Sequence, residues 1–199
     1  MKSIRKFSPV FIATISLILA ISALSFGKSN KSNFPGIKIS NFGQMDENFY
    51  RGARPKPEDF QKLAALGIKT VIDLTDNSKE REQPAVEAAG MRYINIPIVD
   101  RAYPTIDQAN EFLRVTGDPA TGKFYVHCAG GRHRTGVMAA VYRFNHDKWN
   151  YDQAYAEMLQ YDFYTSNGHG KQLTFVKDYW QQFQANHTDE SGQVTAAAR

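Results

Sequence analysis

A single cysteine in the 199-residue chain lies in the run His127-Cys128-Ala129-Gly130-Gly131-Arg132-His133-Arg134-Thr135-Gly136. A β-branched and aromatic stretch, Lys123 to His127, precedes it, and apolar residues at helical spacing (Val137, Val141, Phe144) follow it. A cysteine between a strand and a helix sits at the C-terminal edge of a sheet, where open α/β sheets bind ligands. The helix N-terminus offers free N–H groups and the positive end of a dipole, which attract an anion. Gly130 and Gly131 let the backbone curl so that successive N–H groups of Ala129 to Arg134 face inward as an anion nest. Arg134, six residues after Cys128, can return across the loop and grip two phosphate oxygens. The same field lowers the thiol pKa and makes Cys128 a nucleophilic thiolate. The Thr135 hydroxyl can donate to that sulfur and steady it as nucleophile and leaving group.

The neighbouring residues read less sharply. His127 reads as a structural residue that orients the loop, and His133 is equally a surface residue or a substrate contact. A metal site built from His127, Cys128 and His133 is not expected, because their spacing in a tight loop suits no tetrahedral geometry. One cysteine also excludes an internal disulfide and any cysteine-based zinc cluster. Gly117-Asp118-Pro119-Ala120-Thr121-Gly122-Lys123-Phe124 imitates a nucleotide-binding loop, but Phe124 stands where Ser or Thr must hold magnesium. That run also precedes a strand, whereas a nucleotide loop follows one. A proton for the leaving group would come from a carboxylic acid on a neighbouring loop. Asp100, 28 residues before Cys128 and just past a strand, is the candidate. The alternative for Asp100 is a solvated carboxylate paired with Arg101. Asp107 falls in a helix, Asp118 is too near, and Asp73 and Asp76 read as structural or capping residues.

These side chains need a scaffold, and the pattern supplies one. Pro57-Glu58-Asp59-Phe60 opens a helix that Gly67 closes. Ile68 to Leu74 reads as a strand buried on both faces. A helix over Glu80–Ala89, a strand over Met91–Ile98 and a helix capped by Thr105 follow. After the catalytic run, helices are expected over Arg134–Asn145, Tyr151–Gln160 and Lys171–Phe183. Leu173, Val176, Trp180 and Phe183 of the last form a core stripe. Alternating strands and helices indicate an α/β fold with a central, mostly parallel sheet flanked by helices.

Cys, five residues, Arg, then Thr or Ser is the signature of cysteine-dependent protein tyrosine phosphatases, and His127-Cys128-x-x-Gly131-x-x-Arg134-Thr135 resembles it throughout. Gly131-Arg132-His133-Arg134-Thr135-Gly136 is similar to the plant and fungal atypical dual-specificity phosphatases, which usually carry Lys where this chain has Arg132. Tyr50-Arg51-Gly52-Ala53-Arg54-Pro55 and Leu66-Gly67-Ile68-Lys69-Thr70-Val71-Ile72-Asp73-Leu74 resemble the opening of that domain. The resemblance spans about Phe42 to Phe183. It implies a dual-specificity-phosphatase-like fold over 41–186 and a metal-independent, two-step reaction through a phosphocysteine, with no cofactor. Implied substrates are proteins carrying phosphotyrosine, phosphoserine or phosphothreonine. Arg132 and His133 beside Arg134 are also compatible with phosphoinositides, inositol phosphates or inositol pyrophosphates. A non-catalytic phosphate-binding module and a rhodanese-like sulfur carrier are the rival classes; Cys128 with Arg134 speaks against both.

Lys2, Arg5 and Lys6 contribute three of the 24 basic residues, and the remainder nearly balance the 20 acidic ones. The net charge of +4 therefore belongs to the N-terminus and gives no support to nucleic-acid binding. After that basic start, Pro9 to Leu24 is a short apolar run, with small residues at Ala23 and Ser25. Residues 1–27 are expected to be a cleaved signal peptide or a membrane anchor. Either places the domain outside the cytoplasm, exported or held at the membrane. Residues 28–40 read as a linker and 187–199 as a disordered tail, and a monomer is expected.

Overall fold

The computed structural model describes residues 34–77 and 79–196, with side chains as far as His187. The signal or anchor over 1–27 and the linker up to residue 33 lie outside the described residues. No helix among those described is long and apolar enough to cross a membrane.

Five strands form one sheet in the order β1-β2-β5-β3-β4. They are β1 (Gly43–Gln44), β2 (Phe49–Ala53), β3 (Thr70–Asp73), β4 (Arg92–Asn95) and β5 (Phe124–Cys128). β1 runs antiparallel to β2, whereas the β2–β5, β5–β3 and β3–β4 pairs are parallel. The helices are α1 (Pro57–Ala65), α2 (Lys79–Ala88), α3 (Ile106–Gly117), α4 (His133–Tyr142), α5 (Tyr151–Gln160) and α6 (Gly170–Ala196). This is the α/β fold that the alternation of patterns predicts.

Strand periodicity divides the core into two layers. Phe49, Ile72, Phe124, Val126 and Cys128 face α3 to α6, while Tyr50, Val71 and Tyr125 face α1 and α2. His127 follows Tyr125 onto that second face and stacks on it at 5.7 Å. Consecutive residues at the end of β5 therefore serve opposite layers: Cys128 on the side of α4, His127 on the side of α2.

The predicted caps hold. Thr105 Oγ1 accepts from the Gln108 N–H at 3.1 Å, and the Gln108 carboxamide oxygen accepts from the Thr105 N–H at 2.8 Å. Two helix ends differ from the sequence reading. α4 stops at Tyr142, and Arg143–Asp147 widen into a π turn. Within that turn Arg143 is buried, paired with Glu157 at 2.7 Å and Asp147 at 2.6 Å, with its guanidinium over the Trp149 ring. The widened turn lets one side chain reach both carboxylates and the Met45 carbonyl (3.0 Å). At the other end, α6 continues to Ala196 where a disordered tail from His187 is expected. The His187 ring donates from Nδ1 to the Phe183 carbonyl at 2.8 Å and packs on the Phe183 ring at 4.0 Å, which favours continuing the helix.

Candidate active site

β5 is the central strand, and its last residue, Cys128, is only 3% exposed. Five residues later α4 begins, so the chain between them curls over the sulfur. Gly131 makes the curl possible at φ 65°, and any Cβ there would lie 2.3 Å from the backbone carbon of Gly52. Gly130 faces open space by comparison, its nearest neighbours being Arg132 side-chain atoms 3.9 Å from a built Cβ. Ala129 is exposed at the rim.

Burial pushes the Cys128 thiol pKa up. The Thr135 hydroxyl, the Arg134 charge and the N–H groups of Thr135 and Gly130 outweigh that and bring it below the ordinary thiol value. The balance favours a thiolate held by donors, as nucleophilic chemistry requires.

Arg134 is buried, and its guanidinium reaches three groups across the loop. Nη1 donates to the Ile98 carbonyl at 3.1 Å and lies 3.5 Å from Asp76 Oδ1, and Nη2 lies 3.7 Å from Asp100 Oδ1. Asp100 thus stands over the phosphate loop, 51% exposed at its side chain, with Arg101 Nε 3.5 Å away. Asp100 pairs with Arg101 and also faces Arg134. Its turn is fixed by the Ala102 N–H donating to the Val99 carbonyl at 3.1 Å and by Arg101 at φ 60°. Tyr103 ties the same loop to α6, donating to Asp178 at 2.8 Å and packing edge-on against Phe175. Asp76 shares the Arg134 guanidinium. Asp73 accepts from the Thr75 N–H and hydroxyl (2.8 Å each) and from the Tyr93 hydroxyl (2.7 Å).

Behind the loop, His127 is fully buried with Nε2 2.6 Å from Glu82 Oε1 and Nδ1 3.8 Å from Asp73 Oδ1. Burial favours the neutral ring, but Glu82 and Asp73 reverse that and hold the His127 pKa above its usual value. These three side chains are the group, among the described residues, whose ligand atoms converge within 4.8 Å. His127 and Glu82 touch directly, whereas two ligands of one tetrahedral zinc stand about 3.3 Å apart. The trio fits a shared proton better than an ion. Glu82 also meets Arg54 Nε at 3.4 Å. Sequence reading passed over Glu82 because it lies inside an ordinary helical pattern, 45 residues from its partner.

His133 is resolved against the substrate-contact reading of its ring. The imidazole is buried, stacked on His169 at 3.5 Å and edge-on to Phe163 and Tyr164. The His133 backbone opens the first turn of α4. Arg132 is half-exposed, with Nε 3.9 Å from Asp162.

A cysteine ending a central strand, a glycine-bearing loop, an arginine and a facing carboxylate make up a site like that of dual-specificity, protein-tyrosine-phosphatase-like proteins. The chain belongs to the family described as DSP-PTPase phosphatase fused to NAD+ kinase, which matches residues 32–178. Among curated proteins, the inositol diphosphatase DSP3 of Arabidopsis thaliana is 28% identical over 109 residues, 52% of this chain and 54% of that protein. The dual specificity protein phosphatase TpbA of Pseudomonas aeruginosa is 25% identical over 118 residues, 59% of this chain and 53% of that one. The chain thus spans about half the length of these two relatives. In fold, it resembles the P. aeruginosa TpbA structure in complex with phosphotyrosine, with a TM-score of 0.61, 22% identity and coverage of 74% of this chain and 87% of that one. It likewise resembles the catalytic core of the PP-IP phosphatase SIW14 from S. cerevisiae, with a TM-score of 0.64, 18% identity and coverage of 78% and 95%.

Proposed function

We propose that this phosphatase hydrolyses phosphate monoesters through a phosphocysteine at Cys128, acting on phosphotyrosine, phosphoserine or phosphothreonine in proteins. The observation that carries the reading is the Cys128 thiol: buried, yet lowered in pKa by the donors of its own loop and by Arg134. In the first step the Cys128 sulfur forms a bond to phosphorus, the ester P–O bond breaks, and the leaving oxygen takes the Asp100 proton. In the second step Asp100, now a carboxylate, removes a proton from water; the water oxygen bonds to phosphorus and the S–P bond breaks. Inorganic phosphate leaves and the thiolate returns. Arg134 and the loop N–H groups stabilise the phosphoryl oxygens throughout. Exposed Val99, beside Asp100, and Tyr164, against His133, give the rim apolar surface for a phosphorylated side chain and its peptide.

A second reading rests on a different observation. A cleft of about 370 Å³ opens beside Asp76, lined by Asn77, Lys79, Glu80, Arg81 and Asn95. Lys79 and Arg81 there, although balanced by Asp76 and Glu80, are donors for the further phosphates of a substrate such as an inositol phosphate or pyrophosphate. A phosphate-release screen of the purified protein across phosphopeptides and inositol phosphates separates the two. The first reading expects phosphopeptides to be turned over with the higher kcat/KM; a clear preference for inositol phosphates would replace it with the second.

A further inference from the structure

The three carbonyls that follow the nucleophile are all held from outside the loop, by one short stretch of chain. The Arg54 N–H donates to the Ala129 carbonyl at 3.3 Å. The Asn41 side-chain amide donates to the Gly130 carbonyl at 3.0 Å, and Arg51 Nη2 donates to the Gly131 carbonyl at 2.8 Å. In a trans peptide the carbonyl and the next N–H point in opposite directions. Holding these carbonyls outward therefore turns the N–H groups of Gly130, Gly131 and Arg132 inward. The Gly130 N–H, which reaches the Cys128 sulfur, fits this geometry.

We propose that Asn41 and Arg51 are positioning residues of this reaction, clamping the loop so that its N–H groups are aligned for the phosphoryl oxygens before substrate arrives. The proposal rests on the reading of Cys128–Arg134 as the phosphate cradle.

Arg51 is costly as a mere space-filler. It is fully buried on β2, with its guanidinium 4.0 Å over the ring of Tyr161, the residue that follows α5. Among the described residues, its Nε and Nη1 have no hydrogen-bond partner. An apolar side chain of similar volume would satisfy that site at least as well, because desolvating a cation is expensive. What an apolar residue could not do is hold the Gly131 carbonyl or oppose the thiolate charge. Burial lowers the Arg51 pKa, while Tyr161, Glu157 and the Cys128 thiolate favour its charged form. Asn41 is also specialised. It is buried at φ 53°, a left-handed conformation that asparagine adopts more readily than most residues. Gly52 and Ala53 complete the fit, since the loop rests on their backbone at Gly131.

The test compares Asn41→Ala, Arg51→Met and Arg51→Lys with the parent by orthovanadate inhibition, the pH profile of Cys128 alkylation by iodoacetamide, and Tm. Asn41→Ala is expected to stay folded, to bind orthovanadate about tenfold more weakly and to lose turnover to a similar degree. Its alkylation profile is expected to move to higher pH. Arg51→Lys, which keeps a charge and a donor, is expected to retain more vanadate affinity than Arg51→Met even where Arg51→Met has the higher Tm. Folded Asn41→Ala with parental vanadate affinity and alkylation profile would overturn the proposal. So would Arg51→Met matching Arg51→Lys in both, which keeps the test open should Asn41→Ala unfold. Cys128→Ser separates this from failure of the underlying reading: turnover retained there sinks the nucleophile, whereas an inactive Cys128→Ser beside a parent-like Asn41→Ala sinks only the clamp.

Discussion

Asp76 and Asp100 share one guanidinium, at 3.5 and 3.7 Å from Arg134, yet the two carboxylates are not equivalent. Asp100 lies on the turn that overhangs the loop, half-exposed and able to meet a leaving group. Asp100→Asn is therefore expected to lower kcat/KM, which reports the first step, by about a hundred- to ten-thousand-fold when the leaving oxygen is basic, as in phosphotyrosine or an alkyl phosphate. With an activated aryl phosphate the loss in kcat/KM is expected to be much smaller, and the basic limb of its pH profile to flatten. Equal losses across leaving groups would reduce Asp100 to a loop-shaping residue. For Arg134 the expected result is that Arg134→Lys is nearly as damaging to kcat/KM as Arg134→Ala, because an ammonium cannot span two phosphate oxygens. Near-normal turnover of the lysine variant would mean that Arg134 contributes charge alone. At this scale the sequence was most informative where partners are close along the chain. Cys128, Arg134 and Thr135 fall within eight residues, and the strand-to-helix context tells what each can do. Asp76, Glu82, Arg51 and Asn41 meet the loop and its flanking residues across 45 to 89 residues, a contact that no local spacing encodes.

The elements that matter most are β5, the loop after it and the end of β2 on which the loop rests. Gly131 joins them, and two independent demands fall on it: a positive φ and a backbone contact with Gly52 closer than any Cβ allows. Gly131→Ala is expected to lower stability by at least about 2 kcal/mol and to reduce kcat/KM more than a hundredfold, since the loop must shift to admit a methyl group. Gly130→Ala, with only flexible Arg132 atoms nearby, is expected to leave Tm within a few degrees of the parent. Equal thermal unfolding of the two variants would contradict the account of the close approach. The helices were legible because capping residues and spacing agree, as at Thr105 for α3 and over Tyr151–Gln160 for α5. β1 and β2 were not read as strands. Gly43–Gln44 is too short to show a pattern, and in Phe49–Ala53 a buried arginine and a glycine interrupt any apolar alternation. The buried arginine that spoils the pattern is the one that donates to the phosphate loop.

For the molecule as a whole, the α/β architecture followed from the order of patterns, while the placing of β5 between β2 and β3 is a matter of crossovers that periodicity does not reveal. Global stability should carry one clear pH signature. Burial, with the neighbouring His169 and Arg132 outweighing Asp100, lowers the His133 pKa to about 4. An unfolded histidine titrates near about 6.5. Between those values the unfolded chain binds a proton that the folded chain refuses, so stability falls as pH drops through this window and levels off below it. The contribution is on the order of 3 kcal/mol. Urea midpoints for His133→Phe are expected to fall less steeply between pH 6.5 and 4 than those of the parent; parallel curves would contradict the assignment. The central claim, nucleophilic attack by Cys128, is tested most directly by acid-quenching the enzyme during turnover of an activated aryl phosphate and mapping the phosphorylated peptide. In Asp100→Asn the second step lacks its base, so the intermediate should accumulate. The account predicts phosphate on Cys128, absent from Cys128→Ser; sustained turnover with phosphate on another residue, or on none, would contradict it.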